Sequence, residues 1–171
     1  KKDSYFKACQ EHVDKLLHAL PDLPFSNIWM AQRLSSRLPE DSTLHLGILN
    51  SLRSWNFFEI PTSVTSFSNV GGFGIDGGVS ALIGASLCNP EKLYFGVFGD
   101  LAFFYDMNVL GNRYVGKNVR LLLVNNGKGT EFRMYTHPGA TFGEDADKFI
   151  AAGGHFGNKS PQLVKHYAQD L

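Results

Sequence analysis

Apolar residues recur at two different spacings along the chain, and the alternation of the two predicts the fold class. In roughly the first forty residues the spacing is helical. It predicts an amphipathic helix ending before Pro21 and a second helix that Ser26 caps and Pro39 closes. Further along, short apolar runs bounded by turn residues are typical of strands, namely Thr43–Leu49, Ser63–Ser68, Leu93–Phe98 and Arg120–Val124.

Helical segments separate and follow the later strands. Gly77–Leu87, Ala102–Asn112 and Ala146–Ala152 are predicted helices. Ser160 and Pro161 predict the start of another, whose apolar face carries Leu163, Val164, Tyr167 and Leu171. Strands alternating with helices indicate an α/β fold, a three-layer α/β/α sandwich around a mostly parallel sheet. Because a further strand usually follows such a helix, we expect the fold to be truncated at its C-terminus.

Composition narrows the class of protein. A chain of 171 residues that is 43% hydrophobic can bury one core, so residues 1–171 are predicted to form a single domain. Lys plus Arg and Asp plus Glu number 16 each, which argues against a nucleic-acid partner. Apolar runs such as Leu121–Val124 fall far short of the roughly 20 residues that span a membrane. No secretion signal is visible, and Cys9 and Cys88 are predicted to be buried free thiols, which fits a cytoplasmic location.

Candidate chemistry begins where the third predicted strand ends. Leu93–Phe98 runs into Gly99-Asp100-Leu101 and then into a helix predicted to start near Ala102. A glycine turn followed by the unpaired N–H groups of a helix start is typical of an anion site. Asp100 lies at the same place, and a carboxylate beside a bound phosphate indicates a divalent cation between them.

A second polar turn follows the next strand and is expected at the same edge of the sheet. It reads Asn125-Asn126-Gly127-Lys128-Gly129. Magnesium prefers about six oxygen ligands in octahedral geometry. Asp100, Asn126 and the backbone carbonyl of Lys128 are candidates for three of them.

Gly-Asp followed further on by Asn-Asn resembles the thiamine-diphosphate motif. A longer match resembles the 2-succinyl-5-enolpyruvyl-6-hydroxy-3-cyclohexene-1-carboxylate synthase family, a thiamine-diphosphate-dependent family of menaquinone biosynthesis. The matching segments lie between Ala31 and Phe132, and they are Ala31–Pro39, Ser68–Gly77, Gly99–Leu101, Tyr105–Asn108 and Asn125–Phe132.

This resemblance implies a thiamine-diphosphate-binding fold that holds the diphosphate end of the cofactor together with Mg²⁺ or Mn²⁺. It implies metal ligation by Asp100, Asn126 and the Lys128 carbonyl, and it makes Ile75 an apolar wedge beneath the cofactor. The implied cofactor-binding residues are Asn69, Gly74, Ile75, Gly99, Asp100, Leu101, Ala102, Asn126 and Gly129.

The resemblance also implies an activity for a larger enzyme. Members of the family decarboxylate a 2-oxo acid and join the product to an acceptor. Their catalytic glutamate belongs to a pyrimidine-binding domain that faces this one across a subunit interface, in a homodimer or homotetramer. No segment here resembles that domain, so we expect no catalytic residue in this chain and no activity of the chain alone.

Three departures from the family pattern predict an altered acceptor. Ile48 and Leu49 stand where the family has an Asn-Ser pair, although Arg53 is retained. Val70 replaces an arginine, and Glu131 replaces an apolar residue before Phe132. Arg53, Glu131 and Phe132 are the candidate substrate residues, with a solvated surface role for Arg53 as the alternative.

Two other functions stay open from the sequence. One is a non-catalytic Rossmann-like nucleotide- or phosphate-binding module, in which Gly71–Gly74 cradles the phosphate, although the usual glycine spacing is missing. The other is a degenerate regulatory domain without cofactor. Asp76 is predicted to cap the following helix, and Phe103–Tyr105 to pack in the core.

Overall fold

Four parallel strands form the sheet in the computed structural model, which describes residues 2–151 and 162–171. They are β1 (Thr43–Leu46), β2 (Thr65–Ser68), β3 (Tyr94–Gly99) and β4 (Val119–Val124), in the order β2-β1-β3-β4. Thr43 lies opposite both Thr65 and Tyr94, and Tyr94 lies opposite Val119. The predicted parallel sheet is confirmed, and all four carboxyl ends face one edge.

Helices cover the sheet on both faces. The α-helices are α1 (Lys2–His18), α2 (Asn27–Leu34), α3 (Asn50–Trp55), α4 (Gly78–Ser86), α5 (Asp100–Asp106) and α6 (Leu163–Gln169). Short 3₁₀ turns occupy Ser35–Arg37, Met107–Gly111, Thr130–Arg133 and Pro138–Phe142, and a π-helical turn occupies Ala146–Ala151. Ala152, Ser160 and Pro161, which were predicted to end one helix and start the next, lie outside the described residues.

One core layer lies between the sheet and helices α2 and α3. Successive strand side chains point to opposite faces, so Leu44 and Leu46 of β1 share a face with Val97 of β3. Ala31 of α2 and Trp55 of α3 pack against this face and are 0% and 3% exposed. Burial of this kind contributes about 25 cal/mol per Å² of apolar surface and is the main force holding these helices on the sheet.

The second core layer lies on the opposite face, beneath α4 and α5. Tyr94 and Phe98 of β3 point to it, and Leu82 and Phe103 pack on them from the two helices. Tyr167 of α6 joins this cluster, with Val164, and its hydroxyl donates to the carbonyl of Met107 at 3.2 Å. Two apolar layers around one sheet confirm the three-layer α/β/α fold. Phe103 is buried as predicted, whereas Tyr105 of the same aromatic run is 61% exposed.

A side chain of α5, and not the residue at the N-cap, binds the first turn of α4. Asp106, at the end of α5, accepts hydrogen bonds from the Ser80 backbone N at 2.6 Å and from the Ser80 hydroxyl. Asp76 was predicted to cap this helix, and that prediction is wrong: the N-cap is Gly77, at φ 73°, without a side-chain bond. Asp76 precedes the capping position by one residue, and Asp106 takes the role through a long-range contact.

The chain leaves β1 three residues earlier than the apolar pattern Thr43–Leu49 predicts. A Cβ on Gly47 would lie 3.2 Å from both the Val97 carbonyl and the Phe98 ring, so a larger residue would push β3 away by a few tenths of an ångström. Leu49 then adopts φ 65° and reverses the chain into α3, a helix that the sequence did not predict. Apolar residues continued past the strand because they line a pocket there.

Both cysteines are exposed, so the prediction of buried thiols is wrong. Cys9 lies on α1, which leaves much of its apolar face uncovered, with Phe6 63% exposed. Cys88 follows the last turn of α4 and lies outside the core. Periodicity identifies an apolar face but not whether another element covers it. Among the described residues, no helix is both long and apolar enough to cross a lipid bilayer.

We expect Gly96→Ala to destabilise the fold. A Cβ at Gly96 would lie 2.5 Å from Phe98, 2.6 Å from Leu82 and 3.0 Å from Leu121. Overpacking of a buried site typically costs about 1–3 kcal/mol. Gly84→Ala, at an exposed position of α4, is the control, because nothing lies within 4 Å of its Cβ and alanine favours helix. Urea unfolding measures both, and equal stabilities would contradict this account of the core.

Candidate cofactor and metal site

A pocket of about 350 Å³ opens at the carboxyl edge of the sheet. In the sheet, β2 lies on one side of β1 and β3 lies on the other. After β2 the chain therefore crosses over β1 to form β3, and the gap between β1 and β3 is the topological switch point. Ligands of open parallel sheets bind in the crevice outside the strand ends at such a point. Residues following all four strands line the pocket, among them Gly47, Ile75, Asp100 and Asn126.

Asp100 forms the polar floor of this pocket. It is only 1% exposed, and its Oδ2 accepts a hydrogen bond from the Gly127 backbone N at 2.6 Å. It is also the first residue of α5, two residues before the predicted helix start near Ala102. Burial raises the pKa of the Asp100 carboxyl, and backbone hydrogen bonds from Gly127 and Leu101 partly oppose the rise. The fold therefore holds a carboxylate where a counter-cation would be favourable.

The turn after β4 supplies oxygen atoms at the same pocket. Gly127 adopts φ 75°, and Asn126 accepts from the Lys128 backbone N at 3.3 Å. Asn126, Lys128 and Gly129 all line the pocket with Asp100. Across residues 2–151 and 162–171 no group of three or more His, Cys, Asp or Glu converges as a metal cluster. A carboxylate, a side-chain amide and a backbone carbonyl together fit a hard cation such as Mg²⁺ better than a thiophilic metal.

The Lys128 ammonium is held by a carboxylate that the sequence did not single out. Lys128 Nζ lies 2.7 Å from Asp147 Oδ2, and Arg133 Nε lies 3.7 Å from Asp147 Oδ1. The hydrogen bond from Lys128 is the main cause that lowers the pKa of Asp147. The contact joins the β4 turn to the π-helical turn Ala146–Ala151. Because the ammonium is paired, the predicted metal ligand from Lys128 is its backbone carbonyl and not its side chain.

Most of the predicted cofactor-binding residues line the pocket. Of the nine, the ones that do so are Ile75, Gly99, Asp100, Leu101, Ala102, Asn126 and Gly129. Asn69 and Gly74 are not among its lining residues. Asn69 Oδ1 lies 3.0 Å from His45 Nε2, and its amide donates to the Gly77 carbonyl at 3.2 Å. Its side chain therefore fastens the glycine-rich loop to β1.

The predicted substrate residues lie together at the rim. Glu131 and Phe132 line the pocket, and Arg53 of α3 forms an ion pair with Glu131. Beside it, the Asn50 amide donates to the Thr130 hydroxyl. These contacts join the loops after β1 and β4 across the end of β3. Sequence reasoning missed Asn27 and Phe73, which also line the pocket, because only tertiary packing brings them there.

Comparison with known proteins shows what the chain is similar to. Curated proteins named 2-succinyl-5-enolpyruvyl-6-hydroxy-3-cyclohexene-1-carboxylate synthase match it in several bacteria. The Christiangramia forsetii protein is 34% identical over 149 residues, 87% of this chain and 25% of the relative. The Bacteroides fragilis protein is 39% identical over 132 residues, which cover 77% of this chain and 23% of the relative. The Phocaeicola vulgatus protein is 40% identical over 151 residues, which cover 88% of this chain and 26% of the relative.

The chain is homologous to one segment of these synthases. The predicted resemblance to the synthase family is thereby confirmed. The chain spans about a quarter of the length of these curated relatives. No protein-family model matches it.

We expect His45 to make folding pH-dependent. Burial lowers its pKa below the ordinary 6.5, although the Asn69 hydrogen bond raises it in part. Below pH 6.5 the unfolded chain then binds the proton more readily, so the free energy of unfolding falls as pH falls, by up to about 1.4 kcal/mol per unit. His45→Gln keeps a donor for Asn69 and should remove this component. Denaturant unfolding from pH 7.5 to 5 tests it, and parallel curves for both proteins would refute it.

Proposed function

We propose that this chain is the thiamine-diphosphate- and Mg²⁺-binding domain of a larger 2-oxo-acid decarboxylase and carboligase similar to the synthases above, with Mn²⁺ as an alternative metal. The observation that carries the proposal is the buried Asp100, hydrogen-bonded to Gly127 at the carboxyl ends of β3 and β4. It occurs in a chain homologous to these synthases, and the oxygen atoms around it suit a magnesium diphosphate.

The pocket offers separate surfaces for the two parts of the cofactor. Asp100, Asn126 and the Lys128 carbonyl would hold the metal, and Gly99, Leu101, Ala102 and Gly129 would face the diphosphate. Ile75 and Phe73 give the pocket an apolar wall suited to the rings. When bound, the cofactor supplies an electron sink for the loss of carbon dioxide from a 2-oxo acid. The residues of this chain bind and orient it.

We further propose that the activating acid comes from a pyrimidine-binding domain of a second subunit, in a homodimer or homotetramer. Two observations support this. The carboxylates among the lining residues are Asp100, which lies at the proposed metal, and Glu131, which is paired with Arg53. The chain also spans only about a quarter of its relatives.

An acceptor different from that of the relatives is part of the proposal. Leu49 lines the pocket with an apolar side chain, and Val70 is 52% exposed and is not among the lining residues. Glu131 adds a negative charge at the rim. Of the three departures, Leu49 places an apolar side chain in the pocket and Glu131 opposes a carboxylate there, whereas Val70 lies outside the lining and does not support the proposal.

Thiamine diphosphate should bind only when a divalent cation is present. Asp100 and the diphosphate repel each other, and a cation between them reverses the sign of the interaction. Asp100→Asn should weaken Mg²⁺-dependent binding by at least about tenfold, since charge-assisted bonds are the stronger ones. Asp14→Asn on exposed α1 removes the same charge elsewhere and should bind as the wild type does. Isothermal titration calorimetry measures the affinity of the wild type and of both variants for thiamine diphosphate, with and without Mg²⁺.

Metal-independent binding of equal strength would refute the proposed site. Titration of ADP under the same conditions separates the alternatives. Binding of ADP but not of thiamine diphosphate would favour the nucleotide-binding module. Binding of neither would favour the regulatory domain.

The chain alone should not accelerate exchange of the cofactor C2 proton. An activating acid of this kind is typically worth about 10²–10⁴ in rate, and the proposal places it in another domain. Proton–deuterium exchange followed by NMR after acid quench reports the step directly. Addition of the pyrimidine-binding domain should raise the rate of C2 proton exchange. If the chain alone gives full exchange, Glu131→Gln identifies whether Glu131 is an internal acid that the proposal overlooks.

A further inference from the structure

The ion pair between Arg53 and Glu131 closes one side of the pocket. Arg53 projects from α3, and both guanidinium nitrogens face the carboxylate, Nη1 towards Oε2 and Nη2 towards Oε1 at 3.4 Å. Arg53 Nη1 also lies 3.3 Å from the Met134 sulfur. Glu131 itself lines the pocket. The carboxylate therefore stands between the pocket and the guanidinium.

Stability does not account for this pair. The Arg53 side chain is 47% exposed and that of Glu131 is 24% exposed. Partly exposed pairs of this kind are screened by water and contribute little to folding. The consequence of the pair is electrostatic: it neutralises an arginine beside the pocket-lining Glu131.

Two further basic side chains near this rim, Lys128 and Arg133, are also paired. Lys128 and Arg133 both approach Asp147, and Arg133 donates in addition to the Gly143 carbonyl. A neighbouring cavity of about 690 Å³ shares Asn27, Asn50 and other residues with the pocket. The residues that line it offer amides, hydroxyls and apolar groups but no ionisable side chain.

We infer that this end of the pocket takes an uncharged, hydrogen-bonding acceptor, and that Glu131 is the specificity-determining residue that keeps Arg53 from binding a carboxylate. The inference rests on the proposed function, because that function makes the pocket a place where an acceptor reacts. It concerns the acceptor and not the 2-oxo acid, whose carboxylate is lost as carbon dioxide.

The physical basis is competition within the chain. A carboxylate ligand must displace Glu131, which is tethered beside Arg53 and so competes at high effective concentration. It must also approach a like charge on the pocket wall. An amide or hydroxyl meets neither penalty and finds partners in groups such as Asn50 and Asn27.

Benzoate and benzamide test the inference, because they match in size and differ in charge. Titration of each compound into the protein, followed by protein-observed NMR, measures the affinities for benzoate and for benzamide. The wild type should bind benzamide at least as tightly as benzoate. Glu131→Gln should shift the affinity ratio towards benzoate by about tenfold or more, since Arg53 is then free. Arg53→Gln in the same background should abolish the shift. Glu11→Gln on exposed α1 makes the same charge change and should leave the ratio unaltered.

A wild-type preference for benzoate would overturn the inference. So would an unchanged ratio in Glu131→Gln, including the absence of measurable binding in every variant. Glu131→Leu gives a second measurement that does not depend on how a glutamine packs beside Arg53. The calorimetry of thiamine diphosphate is independent of these probes. If the cofactor binds and the ratio does not shift, this inference alone fails; if the ratio shifts and the cofactor does not bind, the proposed function fails.

Discussion

The hydrogen bond from the Gly127 backbone N to Asp100 Oδ2 joins the ends of two neighbouring strands at the floor of the pocket. Asp100 is almost completely buried, and burial raises its pKa, so the fold keeps a carboxylate where charge is unfavourable. Gly127 can present its N–H there because it adopts a positive φ. The position of the β4 turn, and of the oxygen atoms that it offers, depends on this contact.

Much of the architecture could be predicted because it depends on local periodicity. The apolar runs of β3 and β4 and the helix between them indicated a parallel sheet, and parallel strands bring their carboxyl ends to one edge. That rule predicts that Asp100 and Asn126 meet at one edge of the sheet, and both line the same pocket. The resemblance to the synthase family then added Ile75, which a hydrophobic pattern alone would assign to the core.

The remaining features depend on contacts between residues far apart in the chain. Asp106 caps α4 from 26 residues away, and Arg53 meets Glu131 from a separation of 78. Asn69 looked like a ligand residue, yet its amide is engaged by His45 and Gly77. Periodicity carries no information on such pairings, because each partner is compatible with many local structures. The same reason explains why helical spacing could not show that Cys9 would be exposed.

Charges at the rim of the pocket are paired with each other, whereas the carboxylate at its floor has no cationic partner among the described residues. At the rim, arginine and lysine side chains are each opposed by a carboxylate, as Arg53 is by Glu131 and Lys128 by Asp147. At the floor, within the part of the chain that the structure describes, Asp100 is stabilised by backbone N–H groups and not by a basic side chain. A buried carboxylate without a cationic partner attracts a metal ion, whereas neutralised cations at the rim offer little to a second anion. This distribution of charge supports the proposal that a cation binds at Asp100, because a phosphate group beside the buried carboxylate would be repelled unless a cation lay between them.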